Sequence, residues 1–309
     1  MSSDASLRKY FTKKKANESL AVLLWEFLSQ LSANPKNTVV GFVRNKAATD
    51  KRITEELSDR SNISIVEADL TDYEALKRAA AAVATVTGGK LDYLIANAAY
   101  LPLYDQFESI GALGEDPKEL TAQFHKIIDT NVLATIHLFN LFTPLILRGS
   151  VKKVITISSG LGDLEMVNRL ELYNAPLYSI SKAAVNLATA KFSAQYKKDG
   201  VLFLSICPGT VDTGMLAQCM QLNPSLTSPY YSIAPRLIFS LLSISVTPEQ
   251  MAAAGALMGK FQSYAPHFKG PDTPTDAVKA VLSVIENSSS IENGSAGDFV
   301  SHFGNKQWL

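Results

Sequence analysis

The 309-residue chain has few cysteines, no excess charge of either sign and no apolar run long enough to cross a bilayer. Cys207 and Cys219 are too few for a disulfide framework and lack zinc-ligand spacing, so no metal is expected and a reducing, cytoplasmic compartment fits. Lys plus Arg number 29 and Asp plus Glu 29, so no global field recruits nucleic acid or an anionic membrane. A neutral exterior still leaves room for a locally basic pocket. The apolar stretch 20–31 follows Lys13, Lys14 and Lys15 and imitates a secretory signal. Glu26 interrupts it, however, and Leu20, Leu23, Leu24, Phe27, Leu28 and Leu31 fall on one helical face, so an amphipathic helix packed on a sheet is expected. The other apolar run, 237–246, is too short to span a bilayer. Repeats and low-complexity linkers are absent, and 47% apolar with 19% charged residues is an ordinary globular composition.

From about residue 36 onward, strand-like apolar runs alternate with helical patterns. The predicted strands are Thr38–Val43, Ile63–Glu67, Leu91–Ala96, Lys153–Ile157 and Val201–Cys207, with a short one near Phe299–Ser301. Most are continuously apolar, as strands covered on both faces should be. A helix is expected from Thr71, with Thr71 and Glu74 as a capping box. Others run through Asn131 to about Leu147, from Tyr178 to about Lys197, near Pro248–Lys260 and from Thr273 to Glu286. This βαβ alternation predicts an α/β fold, a doubly wound parallel sheet with right-handed crossovers. Residues 1–15 read as a polar tail and 16–309 as one domain. The stretch 216–270 breaks the rhythm with Pro224, Pro229, Pro235, Pro248 and the Tyr230–Tyr231 pair. It follows the strand ending at Cys207, so it is placed either to fold over the carboxyl edge of the sheet as a lid or to form an oligomer contact.

Tyr178-Ser-Ile-Ser-Lys182 carries the strongest chemical signal. Residues at i and i+4 share one helix face, so phenol and ammonium project to the same side. A nearby cation favours the phenolate and lowers a tyrosine pKa from ~10. Such a phenol can give a proton to a ketone oxygen or take one from an alcohol. Upstream, one strand ends in Ile157-Ser158-Ser159-Gly160 and another in Asn97-Ala98-Ala99. Asn131 lies inside a helix, where its amide needs a partner. Downstream comes Pro208-Gly209-Thr210-Val211-Asp212-Thr213.

This ordered set resembles the short-chain dehydrogenase/reductase superfamily, a Rossmann fold, from about Ala16 to the C-terminus. The tail from Phe299 to Trp308 is similar to that of the norsolorinic-acid ketoreductase subgroup of polyketide pathways. The resemblance implies an NADP-dependent ketone reductase (or alcohol dehydrogenase) for a lipophilic or aromatic small molecule, assembled as a homo-oligomer. It implies Tyr178 as general acid/base, Lys182 lowering its pKa and holding the nicotinamide ribose, and Ser159 bonding the substrate oxygen. Asn131 would hold a proton-relay water to Lys182, Thr213 would meet the carboxamide, and Asn97 would line the adenosine side. Arg44, ending its strand, suits the 2′-phosphate of NADP, whereas an acidic residue would suit a free hydroxyl. Asp69 resembles an adenine contact; a helix cap is the alternative. Ser159 precedes Tyr178 by nineteen residues, longer than the family's usual gap, so a surface loop is expected near 165–172 and Ser158 is the fallback.

The chain departs from the family at its start. No glycine precedes Gly41, although the family's first strand and glycine-rich turn belong there. Only glycine lets backbone approach pyrophosphate closely at a helix N-terminus. Thr12-Lys13-Lys14-Lys15 stands in that place, and Leu7–Thr12 is a poor strand. The explanations open are a truncated or alternatively spliced product, a mis-set start, or an altered cofactor site. A binding or regulatory relative that has lost turnover is the alternative function.

Overall fold

The computed structural model describes residues 18–102, 104–213, 248–289 and 294–309. The expected polar tail 1–15, including Leu7–Thr12 and Lys13 to Lys15, lies outside them, as do residues 214–247 of the expected insertion. Helix α1 (Glu18–Ser32) leads into β1 (Val39–Val43), α2 (Lys46–Glu56), β2 (Ile63–Glu67), α3 (Tyr73–Val86) and β3 (Tyr93–Ala96). A turn at 104–107 precedes α4 (Ile110–Leu113) and α5 (Pro117–Ile128). A π-helical turn (Asp129–Leu133) joins α5 to α6 (Ala134–Ile146). Then follow β4 (Lys153–Ile157), a 3₁₀ turn (Gly160–Gly162), α7 (Leu164–Arg169), α8 (Pro176–Tyr196) and β5 (Leu202–Cys207). Helices α9 (Pro248–Tyr264) and α10 (Pro274–Asn287) precede β6 (Phe299–Ser301).

Every strand pairing is parallel, in the orders β1-β2 and β3-β4-β5-β6. Alternation between two covered faces explains why the central strands are mostly apolar, with Thr156 and Ser205 buried among them. Val154 and Phe203 face one layer with Leu76, Val83, Phe139 and Phe142 of α3 and α6. Ile155, Ile157, Leu204 and Ile206 face the other, with Leu23 and Phe27 of α1 and Val278, Val281 and Ile285 of α10. Burying each large side chain contributes roughly 1.5–3 kcal/mol. The doubly wound parallel architecture therefore follows from two apolar faces on one set of strands.

Among the described residues no strand lies between β1 and β3, so the sheet is in two pieces. Helices hold the pieces together. Leu28 of α1 packs on Val39 and Ile65 while Leu23 and Phe27 cover β4 and β5. On the opposite face Phe42 meets Phe142 edge-on at 5.4 Å.

Several local expectations change. The cap of α3 is Asp72, whose carboxylate accepts the Ala75 N–H at 3.0 Å, and not the Thr71–Glu74 box. Thr71 is instead held by Asp69. The stretch expected as a surface loop near 165–172 contains α7, and Met166 and Leu172 are buried against Trp308, because this segment carries its own apolar anchors. No helix among the described residues is long and apolar enough to cross a membrane.

Candidate active site

The parallel strands aim their carboxyl ends the same way, and loops leaving those ends carry the polar residues singled out in the sequence. Arg44 follows β1, Asp69 follows β2, Asn97 follows β3, Ser159 follows β4, and Gly209 and Thr213 follow β5.

Helix α8 brings Tyr178 and Lys182 to this edge. Gly162 allows it to come close: a Cβ there would lie 2.9 Å from the backbone of Lys182 and Ala183. The Ser159 hydroxyl lies close enough to the Tyr178 phenol to favour its ionisation. Ser158 turns away, donating to Asn186 Oδ1 at 2.6 Å, so the second serine of the pair is the one that reaches the phenol. Lys182 is buried, its Nζ donating to the Ile157 carbonyl at 2.8 Å and standing 5.6 Å from the Tyr178 ring centre.

The electrostatics differ from the sequence-based expectation of a lowered phenol pKa. Burial pushes the Tyr178 phenol up, Cys207 and Asp105 add to that, and the Ser159 hydroxyl opposes it. Burial likewise pulls Lys182 down to about 8, which outweighs the opposing influence of Cys207. The phenol is thus kept neutral and the ammonium is costly to hold. Desolvation is the largest influence on both groups.

Asn131 is buried in the π-helical turn. Its amide donates to the Tyr100 carbonyl at 3.0 Å and to Ser181 Oγ at 2.9 Å, and its oxygen accepts the Tyr100 N–H. The carboxamide therefore ties the loop after β3 to α8. The π turn gives this polar side chain room to leave the helical ladder.

Cys207, read from the sequence as a small buried hydrophobe, does more. Its sulfur accepts the Gly160 N–H at 3.1 Å and is also bonded by the Gly209 backbone, linking the Ser159 loop to the loop after β5. Gly209 has φ +80 and its absent Cβ would meet the His302 ring at 2.7 Å, so the C-terminal tail closes on this loop. Trp308 packs against Gly160 and Met166 from the same tail. Thr213 is partly buried just beyond Val211, which bridges to Asp272. Asp105 and Cys207 lay in no motif, while Ser181 and His302 lay inside motifs without being singled out; burial and contact identify all four.

At the other end, Arg44 and Asp69 are exposed neighbours. Against partial desolvation, the Thr71 N–H and hydroxyl and the Arg44 charge hold the Asp69 carboxyl below the usual range. Asp69 accepts from Thr71 at 2.9 and 2.8 Å, fixing the turn before α3.

A nicotinamide dinucleotide fits this arrangement at its two ends. Lys182 has one carbonyl acceptor for three N–H donors, leaving ammonium protons for ribose hydroxyls. Arg44 supplies an exposed cation at the end of β1, beside the Asp69 carboxylate. For the pyrophosphate between them, the described residues offer no glycine-rich turn.

Comparison with known proteins agrees with the geometry. The profile of the short chain dehydrogenase family matches residues 27–223. The chain is 52% identical over 285 residues to "Short chain dehydrogenase virK" of Hypocrea virens, covering 92% of this chain and 95% of that protein. It is 46% identical over 284 residues to "Short-chain dehydrogenase/reductase iacC" of Pestalotiopsis fici, covering 92% and 94%. Among solved structures, NADPH-bound carbonyl reductase from chicken fatty liver superposes with a TM-score of 0.65 at 22% identity, over 92% of this chain and 93% of that one.

Proposed function

From the premise that this chain belongs to the short-chain dehydrogenase family, an oxidoreductase family acting on small molecules, we propose that it is an NADP(H)-dependent ketone reductase. Its substrate is a lipophilic or aromatic, polyketide-like ketone, or the matching alcohol in reverse. The placement of Tyr178 beside buried Lys182, with Ser159 close enough to the phenol to favour its ionisation, is the observation that carries this reading.

Bound NADPH supplies the hydride; the protein's residues supply orientation and the proton. Lys182 would hold the nicotinamide ribose, Thr213 the carboxamide, Asn97 and Asp69 the adenosine side, and Arg44 the 2′-phosphate. The Ser159 hydroxyl donates to the carbonyl oxygen as charge develops there. Tyr178, kept neutral by burial, gives its proton to that oxygen. The phenolate left behind is stabilised by the Ser159 hydroxyl and the Lys182 ammonium. Asn131 serves by holding α8 against the loop after β3.

An apolar cluster beside the Ser159 loop is compatible with a lipophilic substrate. Phe261 of α9 packs with Met166, Cys207 and Trp308 beside the Ser159 loop, which favours the lid reading of 216–270 within one domain spanning 16–309. Exposed Leu133, Ile180 and Leu187 on the π turn and α8 favour a homo-oligomer. The neutral charge balance and lone buried cysteine described are compatible with a cytoplasmic site of action. The test is ketone-dependent NADPH oxidation across a panel of aromatic ketones, in the parent and in Tyr178→Phe. Activity that persists in the variant removes the reading.

A second reading is favoured by the absence of glycine between residue 1 and Gly41: a relative that keeps the site but has lost cofactor turnover. A fluorescence titration with NADPH separates the two, because a chain that does not bind NADPH cannot transfer its hydride.

A further inference from the structure

We infer that Asp105 is a positioning residue for the reaction: it anchors the start of the catalytic helix and sets the pH range in which Tyr178 exchanges its proton. The role rests on the proposed use of Tyr178 as proton donor.

The beginning of α8 cannot cap itself. Its N-cap residue is Ala175, which has no hydrogen-bonding side chain and sits in the left-handed region at φ 50, ψ 46. Pro176 follows, without an N–H. The N–H groups left without helical acceptors are those of Ala175, Leu177 and Tyr178, since Ser179 already bonds the Ala175 carbonyl. Asp105 takes all of them. Its backbone carbonyl accepts from Ala175 at 2.9 Å, and its Oδ2 accepts from Leu177 at 2.8 Å and Tyr178 at 3.1 Å. This cap comes from a turn seventy residues away in sequence, beyond β3, so it also joins the Asn97 loop to the helix that carries Tyr178.

Asp105 is fully buried, with 0% exposure. A carboxylate so placed is expensive unless its donors are fixed; two backbone N–H groups bond Oδ2, while Oδ1 is buried without a hydrogen-bond partner. Burial raises its pKa while those N–H groups oppose the rise. One of the two side-chain bonds ends on the backbone of Tyr178 itself. A shift of this cap therefore moves the phenol directly, and misplacement of about 1 Å can cost ~100-fold in rate.

The charge acts as well as the geometry. The helix N-terminus favours negative charge, including a phenolate one turn inside it. Asp105 offsets that field. The phenol is faced by Lys182 from its own helix, Ser159 from the loop after β4, Cys207 from the end of β5 and Asp105 from the turn after β3. Asp105 and Cys207 are the two that oppose its ionisation electrostatically. Asp105 likewise opposes ionisation of Tyr100 and Tyr104 beside it.

Asp105→Asn and Asp105→Ala separate the two effects. Asn keeps an acceptor oxygen for the Leu177 and Tyr178 N–H groups and removes the charge; Ala removes both. In alcohol oxidation, which needs the phenolate, the pH midpoint of kcat in Asp105→Asn is expected at lower pH than in the parent. In Asp105→Ala, kcat falls about 10- to 100-fold. Hydrogen exchange at the Leu177 and Tyr178 amides accelerates about 10-fold or more in Ala and much less in Asn. An unmoved pH midpoint in Asp105→Asn overturns the electrostatic role. Unchanged exchange at both amides in the Ala variant overturns the anchoring role, and that measurement needs no cofactor and stands if Ala impairs turnover by any route. A parent whose turnover does not depend on Tyr178 overturns the reading of the site instead, which the exchange data distinguish.

Discussion

Replacing Lys182 with Met is expected to end turnover and stabilise the protein at neutral pH. Lys182 is 4% exposed, and burial pulls its pKa from 10.5 to about 8. At ~1.4 kcal/mol per pH unit, keeping the ammonium charged in the fold costs about 3 kcal/mol below pH 8. Met fills a similar volume without charge. Its cost is the lost bond to the Ile157 carbonyl, roughly 1–2 kcal/mol. A net gain of about 1–2 kcal/mol remains, equivalent to roughly 2–5 °C in Tm. The sign with pH follows from proton counting. Between pH 8 and 10.5 the unfolded chain binds more protons at this lysine than the folded one, so the parent gains stability as pH rises through that window. The variant lacks this gain. Denaturant melts of both proteins from pH 7 to 10.5 test it. A less stable variant at pH 7, or parallel curves across the window, refutes the reasoning.

Tyr178→Phe removes the transferable proton and little else, so the fold should stay intact while the rate falls by more than 10-fold, about 1.4 kcal/mol. More than a tenth of the parent rate would contradict the assignment. Arg44 predicts preference for NADPH over NADH, and Arg44→Asp should narrow or invert it, read as the ratio of kcat/KM for the two cofactors. Equal use of both by the parent would mean that Arg44 points elsewhere. The chain as written should bind NADPH weakly, because ammonium groups on Lys13 to Lys15 cannot replace fixed backbone N–H donors. Micromolar or tighter binding by fluorescence titration would reverse that conclusion. Replacing residues before Ala21 with a strand and a TGxxxGxG turn should restore tight binding, compared at equal folded fraction.

Patterns of polarity and spacing act locally, and what they govern could be read without coordinates. The mostly apolar runs over Lys153–Ile157 and Ile63–Glu67 are strands with the predicted bounds, because short runs rich in β-branched residues suit a pleated, at least half-buried surface. The i, i+4 spacing alone puts Tyr178 and Lys182 on one face of α8. Other features depend on where distant segments meet. Whether Ser158 or Ser159 reaches the phenol depends on Asn186 capturing the first and on the twist of the loop after β4. The direction of the Tyr178 pKa depends on how deeply α8 is buried, which pairwise charge reasoning from sequence omits. Asn131 signalled in the sequence that it needed a partner, but only the fold supplies Tyr100 and Ser181. Asp105 carried no signal at all, since a carboxylate in a loop reads as solvated until a helix start seventy residues away is found resting on it. The sequence by itself thus determined the layers, the strands and the residue types at the sheet edge, through short-range periodicity. Tertiary structure alone decided which hydroxyl, which carboxylate and which protonation state serve the site, because desolvation and long-range hydrogen bonds exist only once separate segments are packed together.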